Sequence, residues 1–110
     1  DSVMPRIDFR AVRSQVPIEF VLELLGFIAL RRRGDELRGR CPLADCHRGA
    51  PGRDHAFAVN VRKGVYQCFR CCRCGNVLDL WAQVHGIGVY ETALELCDKL
   101  QIEVPRLVEP

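Results

Sequence analysis

Four cysteines, Cys68, Cys71, Cys72 and Cys74, fall within seven positions, and Cys41 and Cys46 precede them. Thiols this dense suit a soft metal better than they suit packing. Cys68 and Cys71 are separated by two residues, the gap at which a tight turn aims both sulfurs at one point. Cys41 supplies a third ligand. The fourth is Cys46, in a C-x4-C spacing, or His47, in a C-x5-H spacing. Thiolate and imidazole both bind zinc. Cys46 is the preferred ligand, His47 the alternative, and the other of the two would sit beside the site. The expected cofactor is one structural Zn2+ ion. An iron–sulfur cluster fits less well, because no ferredoxin-like cysteine run is present. Cys72 and Cys74 are left over as turn residues or redox-labile thiols. Cys97 sits at a helical core position, where a cysteine packs as a small apolar group. His55 and His85 are lone histidines without ligand spacing. Four protein ligands close a zinc site, which points to a structural ion and not to hydrolysis. No paired carboxylates, nucleophile elbow or phosphate loop make a local case for catalysis.

Loops of this kind need a sheet behind them. Residues 28–33 and 36–41 read as two strands joined at Gly34-Asp35. AFAVNV, 56–61, alternates, with Phe57, Val59 and Val61 on one face. A turn at Arg62-Lys63-Gly64 leads into a partner strand, VYQCF, 65–69. Residues 42–55 are rich in Gly, Pro, Asp and Arg and read as a loop. Helices flank the strands. Asp8 can cap a helix over Phe9–Gln15, and Pro17 suits the first turn of another, 17–25, with Gly26 as its C-cap. Asn76 can cap a helix over Val77–His85, and a last helix covers about Tyr90–Leu100. The result is an α+β domain with a zinc-ribbon-like antiparallel β-sheet and flanking α-helices.

A chain of 110 residues fits one small domain, and 48% apolar with 27% charged residues is not a disordered composition. The chain has no apolar run long enough for a transmembrane helix, and its first residues contain no apolar export segment. Seven cysteines, an odd number, in that context suggest a reduced, cytoplasmic metal protein more than a disulfide framework. The net charge of +2 is unevenly spread. Residues 31–73 carry eleven basic and four acidic groups, net +7, while 74–110 carry two and six, net −4. Fourteen of the sixteen basic residues are Arg, whose planar fork suits phosphate. The basic segment surrounds the metal loops, which is the footprint of a polyanion-binding face.

Several motifs together resemble the Cys-His-Cys-Cys zinc-binding domain at the N-terminus of bacterial DNA primases. They are Cys41-Pro42, then Tyr66-Gln67-Cys68-Phe69-Arg70-Cys71, then Gly75-Asn76. The likeness extends to IDFRAVRSQVPIEFVLELL, LRRRGDELRGRCP, KGVYQCF and NVLDLWAQVHGIGVYETALELCDKL. It covers about 5–105, with 106–110 as a tail. The sequence departs from the family in three places: Ala44 stands where the family has its histidine, Cys72 where it has a glycine, and Asp54-His55-Ala56 where it has Thr-Pro-Ser. The family's catalytic domain is not in these residues. The resemblance implies a five-stranded antiparallel zinc ribbon that binds single-stranded template DNA in primer synthesis and is not itself catalytic. Its partners would be single-stranded DNA and a primase catalytic domain or replicative helicase, with no membrane. The candidate DNA contacts are Arg31, Arg32, Arg33, Arg38, Arg40, Arg62, Lys63, Tyr66, Phe69, Arg70 and Arg73. Of the aromatics, Phe69 between two ligands is the better stacking platform, whereas Phe57 and Trp81 are expected in the core. A second reading uses the ribbon as a scaffold for docking a helicase or polymerase domain.

Overall fold

The structure is a computed structural model and describes residues 6–43, 46 and 55–107. The chain runs α1 (Phe9–Gln15), α2 (Ile18–Leu24), β1 (Ala29–Arg33), β2 (Glu36–Gly39), β3 (Phe57–Asn60), β4 (Val65–Cys68), β5 (Cys74–Asn76), α3 (Val77–His85) and α4 (Val89–Leu100). The five strands form one antiparallel sheet in the order β1-β2-β3-β4-β5, each strand beside its neighbour in sequence. Every connection is therefore local.

The pleat divides the sheet into two unlike faces. Leu37, Phe57, Val59, Tyr66 and Cys68 are buried against the helices. Phe57 forms the centre, its ring 5.5 Å from Tyr66 and 5.6 Å from Phe27. Each such side chain contributes about 1.5–3 kcal/mol by leaving water. Gly39 makes room for this packing. A Cβ there would lie 2.7 Å from the Phe27 ring and 2.8 Å from the Ile28 carbonyl oxygen. From the helices, Val12, Ile18, Val21, Leu80, Leu96 and Cys97 complete the core.

The caps explain where the helices begin. The Asp8 side chain accepts from the Ala11 amide. Asn76 accepts from Leu78 and Asp79 while Asp79 accepts from the Asn76 amide, a reciprocal capping box. Pro17 stands just outside α2 as its N-cap, one position earlier than the sequence places it. The two ends of the domain meet: Ile7 bridges Arg106, and the Leu107 amide donates to the Arg6 carbonyl. Arg106, the first residue of the expected tail, is thus paired with the body of the fold.

Candidate metal centre and sheet face

β4 delivers Cys68 into the interior, and a tight turn follows. The amides of Arg70 and Cys71 point back at the Cys68 sulfur, at 3.4 and 3.5 Å. The Cys72 amide donates to the Cys68 carbonyl, and the Cys68 amide donates to the Arg73 carbonyl. This closed knuckle needs a left-handed residue, and Cys72 supplies it at φ 65°. The departure from glycine at this position therefore occupies a backbone conformation that side chains resist.

From the other side, the chain leaving β2 brings in Cys41 and Cys46, and the Cys46 amide is tied to the Leu43 carbonyl. The sulfurs of Cys41, Cys46, Cys68 and Cys71 all lie within 4.8 Å of one another, and the first three residues are buried. Cys46 Sγ is 3.6 Å from Cys68 Sγ. Four sulfurs about 2.3 Å from a tetrahedral zinc stand roughly 3.8 Å apart, so the donor set fits this ion. Electrostatics point the same way. Burial pushes the Cys41 thiol well above its ordinary range, against a backbone hydrogen bond at Leu43. Burial, with hydrogen bonds to Cys68 and Cys71, pushes Cys46 up to about 11. Burial also opposes ionisation of Cys68, but the amides of Cys71 and Arg70 outweigh it and its pKa is lowered. Such a pocket accepts several thiolates only alongside a cation. His47 lies outside the described residues. Cys72 and Cys74 are exposed, and Cys97 is buried in the core as expected.

The candidate nucleic-acid residues are scattered by the pleat. Arg31 and Arg33 pair with Arg38 and Glu36, so these four share the outer face. Arg32 pairs with Leu37 on the helix side and lies 4.0 Å from Glu19 of α2. The outer face is therefore less uniformly basic than the three consecutive arginines suggest. Arg62 and Lys63 are exposed in the β3–β4 turn, Arg70 and Arg73 sit half-buried in the knuckle, and Arg40 is exposed after β2. Tyr66 does not belong with them. It is 3% exposed, its ring lies against Phe57, and its hydroxyl donates to Gln83 at 2.9 Å. Burial and the Asp79 charge raise its pKa. Phe69 is the opposite case, 59% exposed one residue beyond a ligand. The Arg38 guanidinium lies 5.2 Å from the Phe69 ring centroid and donates to the His55 carbonyl and the Glu36 carboxylate. A groove of about 390 Å³ runs beside them, lined by Ala58, Asn60, Val65, Gln67, Phe69 and Cys74 among others. Sequence reasoning passed over Gln67, Ala58 and Asn60. Their signal was parity: if Phe57, Val59 and Tyr66 face inward, these face out.

Fold and site together define a primase-type zinc ribbon, a metal-stapled antiparallel sheet with helices on one face. The chain belongs to the CHC2 zinc finger family, whose description matches residues 5–109. It is 31% identical over 98 residues to a DNA primase of Mycolicibacterium smegmatis, which covers 88% of this chain and 14% of that protein. It is 29% identical over 102 residues to a DNA primase of Treponema pallidum, covering 92% and 16%. The zinc-binding and RNA polymerase domains of the Aquifex aeolicus primase superpose with a TM-score of 0.69 at 24% identity, over 92% of this chain and 23% of that one, which establishes the shared fold. The chain thus spans about a seventh of the primases it resembles. As a member of this family with four cysteines so placed, it holds one structural zinc ion. Among the described residues, no helix is long and apolar enough to cross a membrane.

Proposed function

We propose that the chain is the zinc-stabilised single-stranded DNA binding module of a DNA primase or primase-like replication protein, which holds template during primer synthesis in the cytoplasm and performs no catalysis on its own. Cys41, Cys46, Cys68 and Cys71 would hold the ion, with Cys46 in place of the family's histidine. The metal supplies rigidity and no reaction step. The observation that carries the reading is the pairing of exposed Phe69 with Arg38 beside a groove floored by small and polar side chains. A base can stack on Phe69 while guanidinium groups neutralise phosphate. Arg70 and Arg73 sit in the knuckle, Arg31 and Arg33 share the outer face at its far edge, Arg40, Arg62 and Lys63 extend the basic surface, and Arg32 is turned toward Glu19. The module we assign to 5–105. Its other partners would be the primase catalytic domain or a replicative helicase, and the exposed acids Glu91 and Asp98 of α4 suit such docking.

A salt titration of binding to an oligothymidylate tests this. Affinity should fall with salt. Arg38→Ala should reduce the slope by about 0.7 per lost phosphate contact, and Phe69→Ala should cost about 1–3 kcal/mol. Binding that is absent at low salt, or indifferent to salt, would overturn the proposal.

A further inference from the structure

The sheet has two outer strands, and they differ. β5 is three residues long and runs directly into α3. β1 has five residues, all exposed, and among the described residues no strand pairs with its outer side. Unpaired N–H and C=O groups along an edge are a template for another strand. Where β1 begins, the pairing with β2 slips between Ala29 and Arg31, which leaves Leu30 outside the ladder. Leu30 is 50% exposed and Ile28 73% exposed. Both line a pocket of about 320 Å³ with Leu25, Phe27 and Pro42, and with Arg40 and Cys41 at its end toward the metal loop. The outer-face groove that serves the DNA reading lies mainly across β3, β4 and β5 and reaches β2 only at Glu36, and it shares no lining residue with this rim.

We infer that β1 is a docking edge for an extended acidic segment of a protein partner, which adds a sixth strand and seats one bulky apolar side chain between Ile28 and Leu30.

Charge chooses the occupant. An added strand alternates its side chains between the two faces. It would meet Arg31 and Arg33 on one face and Arg32 on the other. Acidic side chains opposite these arginines are favourable, and like charges are not. A second copy of this chain pairing β1 with β1 would set arginine against arginine, which disfavours self-association. Nucleic acid could neutralise the arginines, but it cannot satisfy the edge N–H and C=O groups as a strand does. In the pocket a phosphate would find only Arg40, since Leu25, Phe27, Ile28, Leu30 and Pro42 offer it no partner. Strand addition with a side-chain pocket is a recurring way to recognise peptides.

The test pans a library of random twelve-residue peptides against the zinc-loaded chain. Enriched peptides should carry several Asp or Glu residues and one bulky apolar residue at a fixed offset. They should move the backbone amide resonances of Ala29–Arg33. N-methylation of the peptide amides facing the edge should weaken binding about tenfold, and so should Ile28→Ser with Leu30→Ser. Both residues are exposed, so this variant should fold, and an unchanged amide spectrum elsewhere checks it. The proposal fails if no acidic family is enriched, or if enriched peptides tolerate both the N-methyl groups and the variant. It also fails if an oligothymidylate perturbs Ala29–Arg33 more strongly than the residues around Gln67.

Discussion

Replacing Cys46 by Ala should separate the two possible fourth ligands. Apparent zinc binding by small structural sites is worth about 10–16 kcal/mol. Shared over four ligands, this is roughly 3–4 kcal/mol each, or on the order of 10²–10³ in the zinc dissociation constant. The geometry places Cys46 Sγ 3.6 Å from Cys68 Sγ in a buried cluster, so no solvent group easily takes its place. A domain of this length has about 5–15 kcal/mol of stability in total, so the variant should also unfold at much lower denaturant. Competition with a chromophoric chelator measures the affinity, and the thiolate-to-cobalt charge-transfer band of the cobalt form reports the sulfur count. Cys72→Ala and Cys74→Ala, both exposed and outside the four-sulfur set, should leave affinity within about threefold, and with Cys46 as the fourth ligand so should His47→Ala. The assignment is refuted if Cys46→Ala binds zinc within about tenfold of the parent while His47→Ala loses it.

Three other substitutions probe the parts that position the site. Asn76→Ala removes the capping box at the start of α3 and should cost about 1–2 kcal/mol in urea unfolding at fixed zinc. Cys72→Gly relieves a left-handed side chain worth about 1–2 kcal/mol, partly offset by the greater unfolded freedom of glycine, so the chain should gain up to about 1 kcal/mol, whereas Cys72→Val should lose stability. Tyr66→Phe forfeits the bond to Gln83 and should cost about 0.5–1.5 kcal/mol in the same unfolding assay while leaving oligothymidylate affinity unchanged; a loss of DNA affinity without a loss of stability would place Tyr66 on the binding face after all.

The local signals in the chain were strong where side-chain chemistry dictates backbone. Asp8 and Asn76 start helices by accepting from their first free amides, and α1 and α3 span Phe9–Gln15 and Val77–His85 as expected, with Gly86 closing α3 in the left-handed region. The alternation of Phe57 and Val59 gave the inward face of β3, whereas Val61, expected beside them, falls in the turn beyond the strand and is only half-buried. Other features depend on contacts that no local pattern encodes. β5 is only Cys74–Asn76, and it is a strand because β4 lies beside it; in the chain alone only the family resemblance implied it. Strands β2 and β4 end earlier than alternation suggests, since Arg40 and Phe69 already belong to the metal loops. Tyr66 looked like a stacking residue because aromatic character is visible in sequence and strand parity relative to a partner is not. The same holds for the Arg31–Arg33 run, which reads as one basic stripe and is split between two faces by the pleat.

That split ties the metal to the face. At the end of β4 Cys68 points inward to the four-sulfur cluster, and Phe69, the first residue beyond the strand, points out to solvent, so one backbone segment serves both. The Phe69 amide donates to the Ala56 carbonyl at 2.8 Å, and the adjoining His55 carbonyl accepts two hydrogen bonds from the Arg38 guanidinium. Arg38 and Phe69 therefore hold their mutual geometry only while the strand that carries Cys68 stays in place. A small sheet whose outer face is built from Ala58, Asn60 and Gln67 has little apolar surface on that side to keep it ordered. Zinc substitutes for the missing core there: it fixes the end of β4 from beneath, and the exposed ring and guanidinium above inherit that rigidity without a packing layer that would cover them.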